Sequence, residues 1–295
     1  MTILPRTDVH QHLWPTELLV ALERRSEAPF ARRDAGAWRL HVPGEPAATI
    51  AAQEGADRAS ALAAQGVDRA LLSLSTALQV EALAPREAAP LLDAWHAVVR
   101  GLPSALGAWG TLNLHHARPD DVDALLDEGF VGLCLPARAL AHPRRVERLA
   151  QLLGCLEARQ APLFVHPGPV DDDDGDGASW WPALTSYTAS LQAAWWAWAD
   201  AGLDRHPRLR VVFAALAGLA PLHGERAAAR GGPAVPVAPQ LFYETSSYGP
   251  QAVALMRRAV GAGQLVHGSD VPVVRGAAPQ DDEALLRANP ARLLG

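Results

Sequence analysis

The segment Ile3-Leu4-Pro5-Arg6-Thr7-Asp8-Val9-His10-Gln11-His12 runs from an apolar start into two imidazoles two residues apart. Side chains alternate along a strand, so His10 and His12 at the end of such a strand point to one face. Pro15 then opens a helical segment, as proline does at a first turn, where it has no donor to waste. The same unit recurs to the end of the chain. Strands are expected at residues 3–9, 68–75, 105–114, 130–135, 162–166, 210–216, 241–246 and 265–268, with helical segments that start near Pro85, Pro119, Pro143, Pro182 and Pro250. Leu91, Leu92, Trp95, Val98 and Val99 make a one-sided apolar stripe, and so do Val146, Leu149, Leu153 and Leu156. Strands alternating with helices imply a parallel sheet, and eight units in 295 residues imply an α/β fold closed as a (β/α)8 TIM barrel. An open doubly wound sheet is the competing architecture, but no strand runs into a glycine-rich phosphate loop. One domain over residues 1–295 is expected, with an insertion after strand 1 at about residues 26–55. There, Ala37 to Val42 suggests a small hairpin beside the barrel mouth.

Composition narrows the function. Net charge is −6 and hydrophobic residues make up 49%, which supports a large core and argues against a nucleic-acid or anionic-membrane partner. Two cysteines, Cys134 and Cys155, make neither a disulfide framework nor a thiolate zinc site. Cys134 reads as a small core residue. All 26 basic residues are arginine, so a lysine Schiff base, a phosphate-loop lysine and a carboxylated lysine bridging two metals are all excluded. No leader-like segment precedes the first motif and the apolar run at 211–222 is too short to span a bilayer, so a cytoplasmic protein is expected.

His10 and His12 end strand 1, His166 ends strand 5 and Asp270 follows strand 8. Barrel closure brings strand 8 beside strand 1, and enzymes of this fold place chemistry at the carboxyl ends of the strands. Three imidazoles and a carboxylate suit one divalent ion. Further expected contacts are weaker. Trp14 is placed to stack on a planar substrate, Arg39 in the insertion to clamp a carboxylate, and Asn113 and His115 to face the mouth from strand 3. His267 is expected to pack outside the barrel. The run Asp171-Asp172-Asp173-Asp174-Gly175-Asp176 reads as a solvated loop or a lid. Trp195, Trp196 and Trp198 crowd one segment, which suggests that some cover a homodimer contact.

Asp8-Val9-His10-Gln11-His12, Phe164-Val165-His166-Pro167-Gly168, Arg208 to Phe213, Gly268-Ser269-Asp270-Val271-Pro272 and the closing Asn289 to Gly295 together resemble the amidohydrolase superfamily. The branch contains aminocarboxymuconate-semialdehyde decarboxylase, related aromatic-acid decarboxylases and sugar lactonases. The resemblance implies that His10, His12, His166 and Asp270 bind one divalent ion, zinc or manganese, and that Asp270 handles protons; zinc is expected first, and nitrogen and oxygen ligands tolerate iron as well. At strand 6 the chain departs from the pattern: Ala215 stands where relatives carry a histidine in a His-x-Gly-Gly context. Glu244 on the neighbouring strand is the expected substitute base, and His223 a poorer one. The first functional expectation is therefore metal-dependent hydrolysis of an amide or lactone in a small cyclic or carboxylated molecule. Non-oxidative decarboxylation of a small aromatic or enoic acid is the alternative, and a catalytically inactive ligand-binding barrel is a further one.

Overall fold

The computed structural model describes residues 3–168, 180–236, 238–274 and 282–295. The acidic run at 171–176, read above as a loop or lid, lies outside them. The described residues form eleven strands: β1 (Thr7–His12), β2 (Phe30–Asp34), β3 (Ala37–His41), β4 (Ala48–Ile50), β5 (Arg69–Ser73), β6 (Leu106–Ala108), β7 (Leu133–Pro136), β8 (Leu163–His166), β9 (Val211–Phe213), β10 (Leu241–Glu244) and β11 (Leu265–Val266). Eight of them form the parallel barrel wall. β1-β5-β6 and β7-β8-β9-β10-β11 pair continuously. Two seams join these arcs. At one, Val131 N–H donates to Ala108 O and Cys134 N–H to Gly110 O, at 2.9 and 2.8 Å. At the other, Val9 N–H donates to His267 O at 2.9 Å and His12 N–H to Val271 O at 2.7 Å. The wall closes as a TIM barrel.

Alternation along each strand separates two cores. Cys134, Phe164, Val212, Phe242 and Val266 point inward with Val9, Leu71 and Trp109, while Leu133, Leu163, Val165, Val211, Phe213, Leu241, Tyr243 and Leu265 pack outward under the helices. Phe164 pairs with Val212 and Val212 with Phe242 in register. They form a side-chain layer across the barrel, as this fold requires. The next inward positions toward the mouth, two residues on, are His166, Ala214, Glu244 and Gly268. β1 departs from simple alternation. Its register against β5 gains a residue between Asp8 and Gln11, and such a bulge re-aims side chains. It lets Val9 join the inner core while His10 and His12 both enter the cavity above it.

The strands differ from the sequence expectation mainly at their ends. The first begins at Thr7, because Ile3 and Leu4 are exposed rather than in the wall. The third stops at Ala108, since the chain leaves the ladder beyond a single bridge at Gly110. The sixth stops at Phe213, where the backbone reverses hand. Prolines sit where helices start: Pro85, Pro119, Pro143 and Pro250 are first helical residues. The stripe from Val146 to Leu156 is shared by two short helices that break at Leu149.

The insertion is a three-stranded antiparallel sheet, β2-β3-β4, rather than a hairpin. It returns to the carboxyl end of β1, where Gln53 N–H donates to Trp14 O and the buried Arg58 donates to His12 O and to Gln53 Oε1. Tyr187, in the helix Ser186–Ala197 that follows β8, donates its hydroxyl to Glu45 of the insertion. The tryptophan segment packs inward: Trp195 and Trp198 are fully buried and Trp196 is partly buried. Trp195 and Trp198 are three residues apart and so share the inward face of the helix, while Trp196 lies to its side. Of the three indoles expected to cover a homodimer contact, Trp195 and Trp198 are core residues and Trp196 alone reaches the surface. Among the described residues, no helix is long and apolar enough to cross a membrane.

Candidate metal centre

Four side chains converge at the mouth. His10 Nε2 lies 3.2 Å from His12 Nε2 and 2.9 Å from His166 Nε2. Asp270 Oδ1 lies 3.4 Å from His10 Nε2 and 3.1 Å from His12 Nε2. These ligand atoms all fall within 4.8 Å of one another.

Each ring is fixed from behind. His10 Nδ1–H donates to Glu244 Oε2 at 3.0 Å, and His12 Nδ1–H to Ser73 O at 2.9 Å. His166 Nδ1 stands 2.6 Å from Pro167 O and 2.8 Å from Thr76 Oγ1. With Nδ1 carrying the proton, the Nε2 lone pairs face each other, an arrangement that is repulsive without a cation between them. Asp270 Oδ1 is buried and has no hydrogen-bond donor. Burial pushes the His10 imidazole down, but the Asp270 and Glu244 carboxylates outweigh it and raise it to about 9. The cluster thus calls for positive charge at its centre. Burial, followed by His10 and His12, holds His166 far below its ordinary range and therefore neutral. Burial also pushes Asp270 up, yet His10, His12 and His166 outweigh it and bring it down to about 2. These donors fit one divalent ion: three neutral nitrogens and a carboxylate, with a carboxylate behind the first ring.

Local backbone builds this set. Asp8 is buried and clamps the two ends of the chain together: its Oδ1 accepts from His10 N–H at 3.0 Å and Ser269 N–H at 3.1 Å. Asp270 has a left-handed backbone, φ 58°, and its N–H donates to His10 O at 2.9 Å. Beyond β9, Ala215, Leu216, Ala217, Gly218 and Leu219 are all left-handed, with φ from 45° to 64°. For non-glycine residues this costs on the order of 1–2 kcal/mol each, so surrounding structure has to enforce it. Gly218 is required twice over, by its φ and because a Cβ there would lie 2.7 Å from Thr188 O.

The remaining expected site residues are placed elsewhere. Glu244 is fully buried behind His10, so it does not face a substrate as a base. Trp14 packs into the outer core at 5% exposure, not across the mouth. Asn113 Nδ2 donates to Val80 O and Leu83 O, and His115 Nε2 bonds Ala82 O. Both therefore secure the 80–83 loop. Arg39 is exposed on β3 opposite Arg32 and Thr49. His223 is exposed beside Gln192. His267 packs outside the cavity, its Nε2 3.8 Å from Asp8 Oδ2. Cys134 is a buried inner-core residue whose thiol is pushed up by burial first, then by Glu81. The sequence reading missed Ser73, Thr76 and Ser246, and gave Gly268 no task beyond its place in the motif. Their signal was weak but present, since each sits at or just past the carboxyl end of a strand.

A closed barrel with one His/His/His/Asp centre at its carboxyl face defines a metal-dependent enzyme of the TIM-barrel class. The amidohydrolase family matches over residues 7–294, and the chain belongs to it. Solved structures share the fold. The apo IDCase of Metarhizium anisopliae aligns with TM-score 0.77 at 17% identity, over 99% of this chain and 97% of that one. The 2,6-dihydroxybenzoate decarboxylase of Rhizobium aligns with TM-score 0.68 at 17% identity, over 100% and 99%. A mutant 5-carboxyvanillate decarboxylase of Novosphingobium aromaticivorans, with bound manganese and 3-methoxy-4-hydroxy-5-nitrobenzoic acid, aligns with TM-score 0.71 at 14% identity, over 98% and 96%. No curated protein sequence matches the chain.

Proposed function

We propose that this protein is a metal-dependent, non-oxidative decarboxylase of a small aromatic or enoic acid that bears a hydroxyl near its carboxylate. One observation carries the reading: the structural neighbours include several decarboxylases that share the fold over nearly the whole chain, one of them with bound manganese. Among the described residues of the cluster, Asp270 is the proton carrier, with 15% of its side chain exposed, whereas Glu244 is enclosed and Ala215 offers no ring. One carboxylate can carry a proton from water to a leaving group, as the hydrolysis first expected from sequence requires, or from a hydroxyl to carbon, as decarboxylation requires. The neighbours favour the second.

A divalent ion held by His10, His12, His166 and Asp270 supplies Lewis-acid charge for an oxygen-rich substrate. Asp270, depressed to about 2, rests as a carboxylate. It accepts the proton of the substrate's hydroxyl and returns it to the carbon that bears the carboxylate. The bond to that carboxylate then breaks, its electron pair stays with the ring or enol system, and carbon dioxide leaves. The product departs as the oxyanion and takes its proton from water. Phe164 and Trp109 pave the floor below the rings and keep water from beneath.

The test is to incubate metal-loaded protein in deuterated water with a panel of hydroxybenzoic acids, enoic acids and lactones. The reading expects carbon dioxide in step with a product carrying one deuterium at the vacated carbon. Ring-opening of a lactone without carbon dioxide release would replace it with hydrolysis.

A further inference from the structure

We infer that Glu244 is a positioning residue that sets how tightly the metal is held, by fixing the tautomer and angle of His10. The inference rests on the metal centre alone, so it survives if the reaction proves not to be decarboxylation.

The carboxylate is fully buried, and its two oxygens face four donors. Oε2 accepts from His10 Nδ1–H at 3.0 Å, Ser246 Oγ–H at 2.8 Å and Ala215 N–H at 3.2 Å; Oε1 accepts from Ser246 N–H. A carboxylate is acceptor-only, and an amide in its place would turn an NH2 group toward these donors. The space is shaped for this one group. Glu244 lies two residues beyond inward-facing Phe242, and Gly268 lies two beyond inward-facing Val266. A Cβ at 268 would overlap the Glu244 carboxylate. The glycine of Gly268-Ser269-Asp270 therefore serves the Glu244 side chain, while the aspartate serves the metal. The left-handed turn starts at Ala215, whose backbone N–H supplies one of the four donors. The residue that lacks the expected ring thus still contributes to the centre, through its main chain.

A histidine ligand oriented by a carboxylate is a stronger and better-aimed donor, and loss of such a partner typically weakens metal binding 10- to 100-fold. The experiment strips the full-length protein of metal and measures Mn2+ and Zn2+ dissociation constants by competition with a chromophoric chelator. Glu244→Gln should weaken both on the order of 10- to 100-fold, and Ser246→Ala should weaken them less, in the same direction. In Glu244→Ala, 15N spectra of the histidines should lose the signature of a single Nδ1-protonated His10. Wild-type affinity in Glu244→Gln overturns the inference. If that variant fails to fold, Ser246→Ala decides: weaker metal binding supports the inference and unchanged binding overturns it.

Discussion

At the end of β8 the chain places His166, whose ring enters the cluster with its Nε2 2.9 Å from that of His10 and its Nδ1 fixed by Pro167 and Thr76. One strand over, β9 runs out at Phe213, and the chain turns left-handed at Ala215 with no ring to offer. The two strands pair in register, yet one contributes a ligand and the other a backbone N–H. The difference separates two tasks that a barrel mouth usually combines. Grip on the cation is over-determined: each imidazole is held from behind by a carboxylate, a carbonyl or a hydroxyl. In the proposed reaction, proton movement falls to Asp270.

The sharpest way to break this comparison is to remove that proton carrier. Asp270→Asn should lower turnover on the order of 10²- to 10⁴-fold while the three imidazoles still retain metal. Turnover within a fewfold of wild type would return the proton chemistry to some other residue.

A second prediction concerns pH and the grip. In metal-free protein the His10 pKa is raised from 6.5 to about 9. Its contribution to folding stability is therefore fully present below about pH 6.5 and is lost as pH rises through about 9. The ion needs the same nitrogen unprotonated, so apparent metal affinity should fall about tenfold for each pH unit below 9. Thermal unfolding with and without Mn2+ should accordingly show a gap that widens from pH 6 to pH 9. A gap that narrows would contradict the charge assignment.

Ala215→His tests whether the β9 side can be brought up to the β8 pattern. Histidine tolerates a left-handed backbone better than most residues. The variant should add to kcat/KM a titration near the ordinary histidine range of about 6.5, a limb that the wild-type profile lacks. The smallest effect belongs away from the centre. Asn113→Ala removes two hydrogen bonds to the 80–83 loop and should cost about 1–3 kcal/mol in a denaturant titration, with KM unchanged. A large rise in KM would restore Asn113 as a substrate contact.

Much of this was legible in the sequence, and for physical reasons. Strand side chains alternate, so His10 and His12 were bound to share a direction, and closure was bound to bring the segment around Asp270 to β1. Proline at first helical turns marked Pro85, Pro119, Pro143 and Pro250. Strand ends were harder to read, because an apolar run such as Ala105 to Leu114 says nothing about where the ladder stops. Glu244 was placed on the right strand and given the wrong task. One-dimensional spacing cannot tell a carboxylate that faces the cavity from one enclosed behind His10. The left-handed turn at 215–219 was invisible, since four of its five residues are not glycine and the surrounding fold imposes the conformation. Trp195 and Trp198 are three residues apart and share the buried face of their helix, so that only Trp196 is left partly at the surface.

The most direct measurement is a titration of chelator-stripped protein with Mn2+, read by isothermal calorimetry beside elemental analysis, for wild type and His166→Ala. Saturation at one ion per chain, with affinity lost on removing His166, is the predicted result. Saturation at two ions, no saturable binding, or equal affinity in His166→Ala would contradict a single cation gathered by His10, His12, His166 and Asp270.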